Sequence, residues 1–94
     1  MSQKITTKED LISQIQAAEY LNPKALVSFG ITNEKAAEMV GISVRHFYRY
    51  EHTQPPRRIR KLGAMLARQL ISEGKEIQTD LVYIIERHLK LEQD

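Results

Sequence analysis

Residues 32–51 read Thr-Asn-Glu-Lys-Ala-Ala-Glu-Met-Val-Gly-Ile-Ser-Val-Arg-His-Phe-Tyr-Arg-Tyr-Glu, the pattern of two short helices joined by a tight turn. Thr32 suits an N-cap, because its hydroxyl can accept from a backbone N–H of the first turn. Ala36, Met39 and Val40 recur at i, i+3, i+4 and so share one helical face. Gly41 ends that helix, since the residue after the last turn often has a positive φ that glycine adopts without steric cost. Ser43 caps the next helix at once.

On the second helix Phe47, Tyr50 and Glu51 fall to one side, and Arg45, Tyr48, Arg49 and His52 to another. Phe47 is expected as a core anchor against Ala36, Ala37 and Val40, with the small Ala37 letting two backbones approach. Arg45 and Arg49 face outward, as side chains that read guanine O6 and N7 in a major groove must.

The formal charge of +2 is unevenly distributed. Residues 1–40 carry four Lys and five acids, a net −1; residues 41–61 carry six Lys or Arg and one acid, a net +5; residues 62–94 carry four bases and six acids, a net −2. A basic block centred on the turn and second helix is the electrostatic footprint of a face that docks on phosphates. The plain alternative is a solvated charged surface.

The remaining helices surround this pair. Thr6 and Glu9 fit a capping box, with Leu11, Ile12, Ile15 and Ala18 in helical register, so a first helix is predicted over about 7–20. Asn22-Pro23 stops it and starts a short helix carrying Leu26, Val27 and Phe29 inward and ending at Gly30. Pro55-Pro56 opens a helix over about 56–73, with Ile59, Leu62, Leu66 and Leu70 on its buried side and Gly74 beyond it. Arg57, Arg58, Arg60 and Lys61 crowd its first turns, where the helix dipole disfavours cations by a few tenths of a kcal/mol each, about what a phosphate would more than offset.

The last helix, about 77–91, has two apolar stripes. Ile77, Leu81, Ile84 and Leu91 fit a heptad seam whose remaining position holds His88, while Val82, Ile85 and Leu89 form the second. One stripe packs on its own domain and the other is expected to meet a second copy, through Ile77, Leu81, Ile84, Ile85, His88 and Leu91. His88 is expected as an interface histidine whose protonation near neutral pH would weaken that dimer.

Together these readings predict an all-α protein: one domain, 1–94, forming a compact helical bundle with a helix-turn-helix at 32–51 and a C-terminal dimerisation helix. A chain of 94 residues buries only about 60 to 70% of its unfolded surface, so a partner subunit would help it. No stretch approaches the roughly 18 apolar residues of a membrane span, the polar start does not read as a signal peptide, and no cysteine is present. A cytoplasmic protein without membrane partner is expected.

The residues Ile31-Thr32, Ala36-Ala37, Gly41-Ile42-Ser43, Phe47, Tyr50-Glu51, Pro56, Leu62, Leu66 and Leu70 resemble the Cro-like, XRE-type phage repressor helix-turn-helix family over roughly residues 23–72. More narrowly, the paired Ala, Gly-Ile-Ser, aromatic-rich second helix and following Pro resemble small phage repressors that accompany anti-CRISPR genes. The resemblance implies a lambda-repressor-like fold, with Val44, Arg45 and Arg49 against bases and Asn33 near a phosphate or base edge.

The function expected is that of a dimeric repressor reading a palindromic operator in double-stranded DNA, its half-sites about 34 Å apart. Ser43 and the N–H groups of the second helix would lie at the groove edge and Val44 against a thymine methyl, with Tyr48 either at a phosphate or packed on a neighbour. Lys35, Arg57, Arg58, Arg60 and Lys61 would supply phosphate contacts, giving log K a slope of about −5 against log salt. No Gly-rich phosphate loop, cysteine nucleophile or placed carboxylate pair supports an enzyme, and no cofactor or small-molecule ligand is indicated. His46 and His52 lie i, i+6 apart, which does not bring two imidazoles together, so no metal is expected. The rival expectation is an antitoxin-like or phage accessory module that holds another protein through its terminal helix, with DNA binding secondary; RNA binding is a third, disfavoured because the aromatics lie in a helix and not on a sheet.

Overall fold

Thr7 starts the first helix. Its hydroxyl accepts from Asp10 N at 3.1 Å while the Asp10 carboxylate accepts from Thr7 N at 3.4 Å, a reciprocal cap on α1 (Lys8–Ala17). The cap is thus the Thr7/Asp10 pair and not Thr6/Glu9; Thr6 lies outside residues 7–92, which the computed structural model describes. Ala18 is extended, so α1 stops short of residue 20, and Leu11 and Ile15 are its buried residues.

The helix from Asn22 forms where the sequence predicts it but is a 3-10 helix, Pro23–Phe29. The Asn22 amide oxygen accepts from Lys24 N, and Gly30 closes the helix at φ 82°. It is the centre of the molecule, packing against α2 (Asn33–Val40), α3 (Val44–Arg49), α4 (Arg57–Ser72) and α5 (Val82–Glu92). Leu26 and Phe29 are buried as expected, Val27 only partly, and Lys24, Ala25 and Ser28 are buried as well. The buried Ser28 hydroxyl donates to Leu81 O at 2.8 Å and accepts from Ile85 N at 3.1 Å, and Gln78 N donates to Ser28 O. One small polar side chain therefore satisfies backbone groups at the start of α5 that would otherwise be desolvated without partners.

Helix α4 crosses the segment before the 3-10 helix in backbone contact. Leu21 N donates to Arg60 O at 2.8 Å, and a Cβ on Gly63 would lie 2.1 Å from Leu21 O. The buried residues of α4 are accordingly Gly63, Ala64, Ala67 and Leu70. The expected line of Ile59, Leu62, Leu66 and Leu70 is rotated: its first three members are half-buried flanks, because small residues occupy the line of closest approach.

A second 3-10 helix, Thr79–Leu81, leads into α5, whose buried residues are Ile85, His88 and Leu89. Ile77 before it is buried too. Three residues expected at a subunit interface, Ile77, Ile85 and His88, thus belong to the chain's own core, which α5 joins against α1 and the first 3-10 helix. Among the described residues every regular element is helical, and no helix is long and apolar enough to cross a membrane.

Candidate nucleic-acid interface

The α2–turn–α3 unit is held by local groups. Thr32 Oγ1 accepts from Lys35 N and Ser43 Oγ from His46 N, each at 3.1 Å, so both helices have the hydroxyl caps their sequences call for. Gly41 takes φ 89°, and the N–H groups of Gly41 and Ile42 return to Ala37 O. Phe47 is fully buried, as are Ala36 and, nearly, Ala37; all three belong to one core cluster, and α3 packs on α2. Helix α3 ends at Arg49, and Thr53 closes the chain after it by donating its backbone N–H and its hydroxyl to Arg49 O. His52 consequently sits in a turn and not on the helical face with Arg45 and Arg49.

This packing leaves the other side of α3 open. Arg45, His46, Tyr48 and Arg49 are exposed, Val44 is half-buried, and the Arg45 and Arg49 side chains have no hydrogen-bond or ion-pair partner among the described residues. Arg57, Arg58 and Lys61 are exposed on the first turns of α4, whose start at Pro56 lacks any side-chain cap. The backbones of α3 and α4 do not approach each other closely; α2 and the first 3-10 helix each pack on both and set their relative placement. Arg58 and Lys61 line one groove with Gly41 and Ile42, which brings these two cations beside the turn. Lys35 is also exposed, in a loose pair with Glu38 at 3.8 Å.

Several residues expected at a phosphate have internal partners, Arg57 among them, its guanidinium 5.9 Å from the Tyr20 ring. Arg60 donates to Glu92 Oε1 at 2.8 Å and to Pro55 O at 3.1 Å, with its guanidinium 5.3 Å from the Tyr20 ring. Its charge is committed within the fold, which removes it from the set of free cations. The Asn33 amide oxygen accepts from Lys24 Nζ at 3.0 Å.

Lys24 is a side chain that the sequence pattern does not single out. Its side chain is only 7% exposed, yet its Nζ reaches Asn33 at the start of α2 and Glu51 Oε1, 3.2 Å away, just after α3. It also lies 5.1 Å from the Phe47 ring centre and 5.3 Å from that of Tyr48, so the charge is held by two acceptors and two aromatic faces. The hydrogen bond from Lys24 lowers the Glu51 pKa. The one signal in the sequence is Glu51 itself, the single acid in the basic block of residues 41–61. Asn22 Nδ2 donates to Tyr50 O and Arg87 Nη2 to Glu51 O, so the end of α3 is tied from the centre of the fold and from α5.

Of the residues expected in a dimer seam, Leu81 and Ile84 are half-buried and Leu91 is 57% exposed; Tyr83, outside that seam, is 65% exposed. Burial pushes the His88 pKa down to about 4, with Arg87 adding to the shift. His88 is therefore neutral near pH 7, which replaces the expectation of an interface histidine titrating there. A scan of the chain against protein-family models finds no match, and neither do searches among curated proteins and among solved structures.

Proposed function

We propose that this chain is a sequence-specific DNA-binding regulator of the helix-turn-helix kind, acting in the cytoplasm as a dimeric repressor that occupies a palindromic operator. The observation that carries the reading is the division of labour among its cations. Within the basic block, Arg45 and Arg49 stand unpartnered on one side of a helix whose other side carries the buried Phe47, while on the neighbouring helix start Arg58 and Lys61 stand free and the exposed Arg57 has only the face of the Tyr20 ring, 5.9 Å away, and no counter-charge. Cations with nothing to neutralise them repel one another, an arrangement that polyanion binding relieves.

In this reading Arg45 and Arg49 contact base edges from the major groove, with Val44 at a thymine methyl. Arg57, Arg58, Lys61 and Lys35, with the Asn33 amide, the N–H groups near Ser43 and the Tyr48 hydroxyl, contact the backbone. The likeness of residues 23–72 to XRE-type phage repressors supports the same reading. Dimerisation would use Leu81, Tyr83, Ile84 and Leu91, apolar residues of this region left at least partly open. Footprinting on the DNA flanking the gene tests the proposal: a protected, two-fold symmetric site overlapping a promoter is expected, and uniform cleavage at saturating protein would refute it.

The rival reading, a module that holds another protein, is favoured by the exposure of Tyr83 and Leu91 alone. A stable stoichiometric complex with the neighbouring gene's product, unaffected by loss of Arg45 and Arg49, would support it over the first.

A further inference from the structure

We propose that Lys24 is a positioning residue that fixes the Asn33 side-chain amide as a hydrogen-bond donor to a DNA phosphate. The assignment rests on the DNA-binding reading and adds to it a residue that itself never reaches DNA.

The chemistry of the contact decides the orientation. An ammonium group carries donors only, so the atom of Asn33 that it meets at 3.0 Å must be the carbonyl oxygen Oδ1. The Nδ2 amide is thereby turned to the opposite side of the same planar group. Nδ2 has no partner among the described residues and is not one of the buried unpaired atoms, so it is left to solvent. Asn33 is the first residue of α2, where backbone N–H groups also lack helical partners. A phosphate oxygen, which only accepts, matches an outward Nδ2 and is repelled by an outward Oδ1.

Lys24 is suited to this task and to no direct one. It is 6% exposed, is set in the buried 3-10 helix, and spends its charge on Glu51 Oε1 at 3.2 Å and on the Phe47 and Tyr48 rings. Because the Lys24–Glu51 pair is locally neutral, it displaces no counterions from DNA. Its contribution is therefore to affinity and not to the salt dependence, which separates positioning from charge contact.

The test uses the full chain and a mixed-sequence DNA duplex of about 30 base pairs, since a phosphate contact is independent of sequence. K24M, made together with E51Q so that no lone carboxylate is left beside α3, and N33A are each expected to weaken binding about tenfold, the loss for one hydrogen bond to a charged oxygen, with an unchanged salt slope. The combined variant is expected to be no weaker than either of these, because both remove the same contact. N33D keeps an acceptor for Lys24 and adds a favourable charge at a helix start, so its melting temperature is expected to equal or exceed that of the wild type while its binding falls at least as far as that of N33A.

Losses that multiply to about a hundredfold in the combined variant, or a K24M/E51Q slope reduced by about 0.9, would overturn the assignment. If K24M/E51Q does not fold, N33D decides: wild-type affinity there would overturn it. Failure of the wild type to bind the duplex at low salt would overturn the DNA reading and this assignment together.

Discussion

Arg60 Nη1 lies 2.8 Å from Glu92 Oε1, and both side chains are mostly buried, at 19% and 14% exposure. The pair joins the start of α4 to the end of α5 and makes one cation of the basic block a structural part. Breaking a largely buried pair from one side leaves the other charge uncompensated. Arg60→Ala is expected to destabilise the fold by about 2 kcal/mol while leaving the salt slope of DNA binding unchanged. Arg58→Ala is expected to do the reverse: unchanged stability and a slope shallower by about 0.9. Chemical denaturation and affinity measured across a salt series check both; equal effects of the two substitutions on the slope would undo the distinction.

Two glycines should respond differently to alanine. Gly63 faces Leu21 O, and a Cβ 2.1 Å from a backbone oxygen cannot be relieved by a side-chain rotation. Gly63→Ala is expected to cost about 3 kcal/mol, since α4 must move off the chain it crosses. Gly41 has open space around it but φ 89°, so Gly41→Ala is expected to cost about 1 to 2 kcal/mol through backbone strain alone. Denaturant midpoints for the two variants should therefore be clearly separated.

The depressed pKa of His88, about 4 against an ordinary 6.5, makes stability depend on pH in a defined window. Between these values the unfolded chain binds a proton that the folded chain does not, so stability rises with pH. The contribution is fully present above pH 6.5 and is lost as pH falls toward 4, by about 3 kcal/mol at most. Glu51, whose pKa is lowered, adds a loss that begins near its ordinary carboxylate range and continues below it. Because His88 Nδ1 is buried without a partner, His88→Leu is expected to keep or raise stability at pH 7 and to flatten the profile between pH 4 and 6.5. A steep remaining slope in that window, measured by melting temperature against pH, would contradict this.

On α5, exposure separates assembly from folding. Tyr83→Glu with Leu91→Glu is expected to shift sedimentation from dimer to monomer without lowering helicity, whereas Ile85→Ala is expected to cost about 2 to 5 kcal/mol by opening a core cavity. A charge pair at 83 and 91 that leaves the dimer intact would exclude this side of α5 as the interface.

Features set by neighbours along the chain are legible in the amino-acid sequence. Thr32, Gly41 and Ser43 each act within about one turn of their own position and Phe47 within the same two-helix segment, so spacing identifies their roles. Features set by distant pairs are not legible in this way. Lys24 to Glu51, Ser28 to Ile85, Arg60 to Glu92 and Gly63 to Leu21 depend on which helices cross, and no periodicity encodes that. The last helix shows the same limit: its sequence displays two apolar stripes, but which one faces the core is fixed by the first 3-10 helix and α1. The expected seam therefore mixes buried residues with open ones. The basic block stands out as charge, yet only tertiary structure divides Arg60 from Arg57, Arg58 and Lys61.

Base reading by Arg45 and Arg49 is tested by the affinity of the R45A/R49A double variant for the DNA upstream of the gene. A helix start near Ser43 and a buried Phe47 are untouched by these exposed changes, so the melting temperature should stay at the wild-type value. Two guanine contacts, each worth about 1 to 3 kcal/mol, correspond to a loss of at least about a hundredfold in specific affinity. Wild-type affinity retained by the folded double variant would mean that neither arginine reads DNA.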